Sequence, residues 1–289
     1  MHMSDALVSP AIAASMWAAT AGASSLSARS LRRHPDDRRV PLMGVLGAFV
    51  FAAQMVNFSI PGTGSSGHLC GGLLLSILLG PPAAFLVMAS VLTVQALFFA
   101  DGGLLALGCN VFNLGFLTSF VAYPFVFAPL ARGRPARGRL ATATVLASVV
   151  GLQLGSLGVV LETVLSGRTA LSPGSFLILM QPIHLAIGVV EGLVTAAVLL
   201  FLRDAVPELV LASPAAPARG GSLRRVGAMV LLAAAIVAGV LSWFASSAPD
   251  GLEWSLARVA TGIASEAPSG ALHRLFARIQ ERTAALSEE

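Results

Sequence analysis

Long apolar runs punctuated by Gly, Pro and Arg recur along most of this 289-residue chain, and no other feature narrows its fold so far. A hydrocarbon core about 30 Å thick takes about 20 helical residues to cross, and fewer where a helix meets a re-entrant loop buried in protein. Segmenting at the punctuation gives spans near 6–27, 41–58, 69–80, 82–100, 104–131, 140–165, 175–202 and 224–245. The expectation is an all-α, polytopic membrane helix bundle of about eight transmembrane helices. Composition agrees, with 56% hydrophobic and only 11% charged residues where a soluble domain carries about 25% charged. A mean hydropathy of +0.83 excludes the soluble classes.

The arginines orient the bundle. No lysine is present, and 13 of the 18 arginines fall in three clusters between apolar runs: Arg29 to Arg39, Arg132 to Arg139, and Arg203 to Arg225. Cytoplasmic loops collect such charge, so the clusters belong on one side and speak for topology over nucleic-acid binding. Placing all three there requires an odd number of crossings between residues 59 and 131. Three satisfies this: a short span at 69–80, broken from the next at Pro81 and Pro82, then two longer ones. The N-terminus then lies outside, with the loops at 59–68, 101–103 and 166–174 and the tail after 245. Residues 204–223 become a cytoplasmic linker. Ser24 to Ala28 resembles a cleavage site, yet the chain opens with Asp5 and no basic residue, unlike a secretory signal. Cys70 and Cys109 are too far apart for a metal knuckle and sit in apolar context, which reads as two buried thiols.

The chain begins Met1-His2-Met3. Initiator-methionine removal needs a small second residue, so Met1 is expected to stay. The Met1 α-amine, the His2 amide nitrogen and a His2 ring nitrogen then close adjacent five- and six-membered chelate rings in one plane, a donor set suited to Ni(II) or Cu(II). The fourth corner has to come from elsewhere, and His68 is the best candidate. It lies in Gly64-Ser65-Ser66-Gly67-His68-Leu69-Cys70-Gly71-Gly72, whose small residues allow irregular backbone to pack within protein. A helix-capping or loop-bonding role for His68 is the blander alternative.

Other polar residues interrupt the spans. Gln54 and Asn57, three apart and near the His68 loop, are candidates to orient an imidazole from behind; Gln95, Asn110 and Asn113 are candidates for interhelical bonding, which Gln54 and Asn57 could also serve. His184 and Glu191 are seven apart, hence on one helical stripe, and read either as a metal or proton pathway or as a pair bracing helices. Glu162 sits near a span end and is expected to face water. Residues after about 265 place Leu272, Leu275, Phe276 and Ile279 among Arg274, Arg278 and Arg282, an amphipathic helix for a membrane surface or partner, or simply a solvated one. No phosphate-binding loop, H-E-x-x-H or G-x-S-x-G is present, so ATP-driven work needs other subunits.

Five stretches in order, MHMSDALVSP at 1–10, PLMGVLGAFVFAAQMVNF at 41–58, GSSGHLCGG at 64–72, FADGGLLALGCNVFNLG at 99–115 and HLAIGVVEG at 184–192, resemble the CbiM/NikM family. These are the substrate-binding (S) membrane components of energy-coupling-factor ABC transporters for nickel and cobalt. The resemblance covers residues 1–203. It implies seven helices with the N-terminus outside, metal ligation by the Met1 amine, the His2 amide and imidazole and the His68 imidazole, and partnership with a transmembrane coupling subunit and ATP-binding subunits. SSAPDGLEW at 246–254 resembles the PDGLE domain of the companion small subunit, often fused to the S component, so residues 224–289 read as one membrane helix, a PDGLE segment and an amphipathic tail. The companion's usual second membrane helix is missing from the sequence. The resulting expectation is a cell-membrane component that binds Ni(II) or Co(II) as transported substrate. A cobalt-specific role feeding cobalamin synthesis is the alternative, with a metal-dependent membrane enzyme or an accessory membrane protein further off.

Overall fold

The computed structural model describes residues 1–36, 39–133, 135–167, 172–206, 220–259 and 270–286. Its helices follow the apolar runs. They are α1 (Pro10–Arg33), α2 (Arg39–Gln54), α3 (Gly72–Leu79), α4 (Pro81–Phe98), α5 (Leu107–Leu130), α6 (Arg137–Ser166), α7 (Pro173–Ala205), α8 (Gly220–Gly239), α9 (Gly251–Val259) and α10 (Ala271–Thr283). Proline opens α1, α4 and α7, at the position where its missing N–H costs nothing and its fixed φ favours a helix. Ser9 caps α1, its hydroxyl accepting from the Ile12 N–H at 3.4 Å.

Five segments among the described residues are long and apolar enough to cross a membrane: α4, α5, α6, α7 and Gly227–Phe244, which runs on from within α8. Their outward faces are apolar, with Phe125, Ile178, Phe201 and Leu232 exposed, as lipid requires of a bundle surface. Helix α2 is shorter. Helix α3 has eight residues, a rise of about 12 Å that cannot cross alone. It ends at Gly80, as the Pro81-Pro82 break predicts. A correction to the all-helical expectation lies in the loop after α2: strands β1 (Phe58–Ile60) and β2 (Ser65–Gly67) pair antiparallel, with Phe58 opposite Gly67.

Helices α6 and α7 pack along their lengths, helped by Gly188 and Gly192, against which Val149 and Val145 of α6 lie. Helix α8 rests on α2. The amphipathic helix α10 is no solvated tail. The Nε2–H of His273 donates to the Val8 carbonyl at 3.1 Å, and the Gln280 amide donates to the carbonyls of Ala96 and Gly102 at 3.0 and 2.7 Å. One face of α10 thus covers the ends of α1 and α4, while Leu272, Leu275 and Ile279 stay exposed. Most of the expected linker 204–223 lies outside the described residues.

Candidate metal centre

Residues 1–8 insert into the bundle because Met3, Leu7 and Val8 join a buried cluster with Leu105, Phe176 and Met180. Burying this extended segment requires partners for its backbone, and α5 supplies them. The Asn110 side chain accepts from the Met3 N–H at 2.8 Å and donates to the Met3 carbonyl at 3.2 Å, as a neighbouring strand would. Gly103 N–H donates to the same carbonyl at 2.8 Å, and Asp5 Oδ1 accepts from the Ala106 N–H at 3.0 Å. Met3 is therefore clamped, and His2 beside it has a fixed position.

The His68 loop is held from both sides. Gly67 meets α7 so closely that a Cβ would stand 2.5 Å from Ile187 Cγ1. Gly71 takes φ +76° and sits where a Cβ would be 2.8 Å from Val50, so both conformation and space demand glycine. Glu191 of α7 grips the start of α3, where helical N–H groups lack partners: its carboxylate accepts from the N–H of Cys70 at 2.7 Å and of Gly71 at 3.1 Å. Gln54, the last residue of α2, donates to the Cys70 carbonyl at 2.6 Å.

A third segment enters from the C-terminal region. Ser66 N–H donates to the Pro249 carbonyl at 2.8 Å, and α9 starts with a capping box. Asp250 Oδ1 accepts from the Glu253 N–H at 2.8 Å, and Glu253 Oε2 accepts from the Asp250 N–H at 3.3 Å. This leaves Asp250 Oδ2 to take the Met1 α-ammonium at 3.1 Å.

Met1, His2 and His68 thereby come together. The His2 and His68 rings stack with centroids 5.0 Å apart and planes at 28°. Both line a cavity of about 400 Å³ that also presents Asp5, Asp101, Asp250 and Glu253. The Nδ1–H of His2 donates to Asp101 at 2.6 Å, while its Nε2 is buried without a partner. His68 Nδ1–H donates to its neighbour's carbonyl, Leu69, at 3.2 Å, which leaves its Nε2 lone pair available. Desolvation, reinforced by the positive charge at Met1 and at His2, pushes the His68 imidazole down to about 3 against the pull of Asp101. It is a neutral potential ligand at neutral pH. Burial works to raise the Asp101 carboxyl, but the charge and hydrogen bond of His2 override it and hold the group at about 2. Burial likewise opposes ionisation of Asp250, and the Met1 ammonium holds it well below the usual carboxylate range. Among the described residues, no three His, Cys, Asp or Glu side chains converge on one point.

Residues 2–209 match the family described as the cobalt uptake substrate-specific transmembrane region, CbiM. The chain belongs to this family. Residues 224–288 match the PDGLE domain. The fused nickel transport protein NikMN of Rhodobacter capsulatus is 33% identical over 300 residues, spanning 97% of this chain and 86% of that one. The cobalt transport protein CbiM of Geobacter sulfurreducens is 33% identical over 257 residues, 83% of this chain and 72% of the other. The crystal structure of a truncated transition metal transporter aligns with a TM-score of 0.61 and 30% identity, over 71% of this chain and 99% of that one. This CbiM relative is thus a multi-pass membrane component of transition-metal transport and not an enzyme.

Several residues act differently from their sequence reading. Helix α2 stops at Gln54, so Asn57 does not share its helical face; Asn57 lines the large cavity, and its carbonyl accepts from the Ser246 N–H at 2.8 Å. Gln54 lines the cavity with both imidazoles, and its amide donates to the Cys70 carbonyl and the Met88 sulfur, holding the loop by its backbone. His184 and Glu191 share a stripe of α7 without bonding to each other: Glu191 holds the loop, and the Nδ1–H of His184 donates to the Met180 carbonyl at 2.8 Å. Glu162 is buried and accepts from the Asn113 amide at 2.7 Å, so it does not face water. Gln95 is buried with neither side-chain polar atom partnered. Asn110 bonds to the inserted terminus and not to a helix. Asp250, the aspartate of the PDGLE stretch, and Asp101, within the matched stretch 99–115, face Met1 and His2, a role the sequence reading did not assign to either.

Proposed function

We propose that this chain is the substrate-binding component of an energy-coupling-factor importer and captures Ni(II), or Co(II), at the outer face of the cell membrane. The observation that carries the reading is the convergence of the buried Met1 amine and His2, at the start of the chain, with the His68 imidazole of a distant loop. The donors are the Met1 amine, the His2 amide nitrogen, His2 Nδ1 and His68 Nε2. Only Nδ1 of His2 can close the six-membered chelate ring, so capture exchanges partners and releases protons: the Met1 ammonium leaves Asp250 and gives up one proton, the His2 amide gives up its own, and His2 Nδ1 leaves Asp101 as the ring proton moves to Nε2, the released protons passing to water in the cavity. Both carboxylates thus hold the ligands in place before the ion arrives, and they attract it through the cavity they line. Nitrogen donors in a square plane favour Ni(II) over Co(II), while Cu(II) binds such sets more tightly still, so availability helps set the cargo.

Eight crossings with the N-terminus outside fit the arginine clusters, with residues 69–80, mostly α3, as the short crossing and the His68 loop at its outer end. Residues 1–203 form the metal-binding unit, 204–223 a cytoplasmic linker and 224–289 the PDGLE-bearing accessory segment. ATP hydrolysis resides in separate subunits that act through a transmembrane coupling subunit, since no phosphate-binding loop is available here. The cobalt names among relatives favour Co(II) as the second reading. A competition titration of the purified protein with nickel, cobalt, copper and zinc tests the reading. Saturable nickel binding weakened by both His2→Ala and His68→Ala is the expected result; binding that survives both substitutions unchanged refutes the site.

A further inference from the structure

One buried nitrogen is left over by this scheme. His184 of α7 is 1% exposed, and its Nδ1–H donates to the Met180 carbonyl at 2.8 Å. A carbonyl can only accept, so this bond fixes the tautomer and leaves Nε2 with a bare lone pair. That Nε2 is buried and has no partner. Metal-bound histidines usually show this arrangement, with one ring N–H given to a carbonyl and the other nitrogen free to ligate.

The lone pair has somewhere to point. A small cavity of about 10 Å³ is lined by Met1, His68, Cys70, His184 and Asp250 among others, so it connects His184 to two elements of the proposed chelate. The His68 loop and His184 share one face of α7. Gly67 rests on Ile187, three residues along from His184, and Glu191, seven along, grips Cys70 and Gly71. The PDGLE turn closes the other side: a Cβ on Gly251 would lie 3.2 Å from His184 Cε1, so glycine there lets the turn reach both His184 and, through Asp250, the Met1 amine.

Building on the chelate reading above, we infer that His184 is a transfer ligand: its Nε2, together with the His68 imidazole, takes the ion as it leaves the amino-terminal chelate for the bundle interior. Among the described residues no three His, Cys, Asp or Glu side chains already share a point, so this station forms only as the ion and the His68 loop shift along α7. Nickel and cobalt both accept imidazole nitrogen.

The test uses the full-length purified protein in lipid nanodiscs, with Ni(II) as the probe, read by equilibrium titration and by X-ray absorption. Acetylating the Met1 α-amine, in a chain that has no lysine to compete, disables the chelate while keeping every side chain. The acetylated protein is expected to bind nickel weakly through imidazoles. His184→Asn, whose amide can still donate to Met180, then weakens that residual binding by about tenfold or more, and in the unacetylated protein it changes affinity by less than about threefold. His184→Gln serves as a second variant with the same expectation if the first is unstable by thermal unfolding. Residual binding indifferent to both variants, or none at all in the acetylated protein, overturns the inference and leaves the small cavity to a water molecule. If acetylation does not weaken binding, the amine reading fails separately, and the effect of the His184 variants on imidazole binding still decides this one.

Discussion

Glu191 is where the fold transmits most directly to the centre. It accepts two main-chain N–H bonds, at 2.7 and 3.1 Å, two and three residues beyond His68. Glu191→Gln keeps the shape but offers one acceptor oxygen and turns an NH₂ toward the other N–H. Losing a hydrogen bond to a charged acceptor costs about 1.5–3 kcal/mol, part of it from the buried N–H left unpaired. If the gripped loop is the binding-competent form, apparent affinity falls in proportion to the competent fraction. For a loss of about 2 kcal/mol this means between about twofold, if the grip has a comparable margin to spare, and about thirtyfold if it has none. Nickel titration of the purified variant reads the affinity, and thermal unfolding with and without nickel reads the stability. Glu162→Gln is the control, a buried carboxylate bonded to Asn113 on α5 and not to the loop. It should lower the unfolding temperature and leave nickel affinity nearly unchanged. If Glu191→Gln also destabilises without weakening nickel binding, the loop is not held in place by Glu191 and the reasoning fails.

Three further outcomes are expected. Gly67→Ala drives a methyl into Ile187, an overpacking worth about 1–3 kcal/mol; nickel titration should show weaker binding, substantially restored by adding Ile187→Ala. Asp250→Asn strips the Met1 ammonium of its buried partner, a loss of up to about 3–5 kcal/mol. Because the folded carboxyl is held below its ordinary range, the contribution is present above the unfolded value of about 3.9 and disappears only as pH falls through the depressed one. Melting curves of the wild type and variant should therefore differ at neutral pH and converge only in strong acid. His68 works in the same sense over a higher pH range. Its unfolded imidazole protonates below about 6.5 and its folded one only near 3, so between these the unfolded state binds more protons and stability falls with falling pH, by up to about 1.4 kcal/mol per pH unit. Metal-free His68→Ala should show a shallower acid slope in the same melting experiment.

The helices were legible because membrane burial demands long apolar runs, and Pro81 and Pro173 begin helices where the sequence breaks. The candidate residues of the site were picked out for a chemical reason, the order Met1-His2 and a histidine in a glycine-rich loop, and the structure sets these residues side by side. What the sequence did not carry is who holds them there. Asn110 bonds to Met3 and Asp250 to Met1 across separations of 107 and 249 residues, and pairings with main-chain groups leave no periodicity to read. The spacing of His184 and Glu191 correctly placed them on one face of α7, but a helical stripe says nothing of partners: Glu191 holds the loop, while His184 bonds to Met180 of its own helix. The β1–β2 hairpin escaped notice because three-residue strands rich in serine and glycine have no alternation strong enough to stand out.

The account stands or falls on the α-amine of Met1. X-ray absorption of nickel bound to the protein, compared between the chain with a free Met1 α-amine and the same chain acetylated at that amine, tests it most directly. Four nitrogen neighbours in a plane, two of them imidazole, are predicted for the first, with loss of that signature in the second. An oxygen-rich, six-coordinate ion in the first, or an identical spectrum in both, would contradict it.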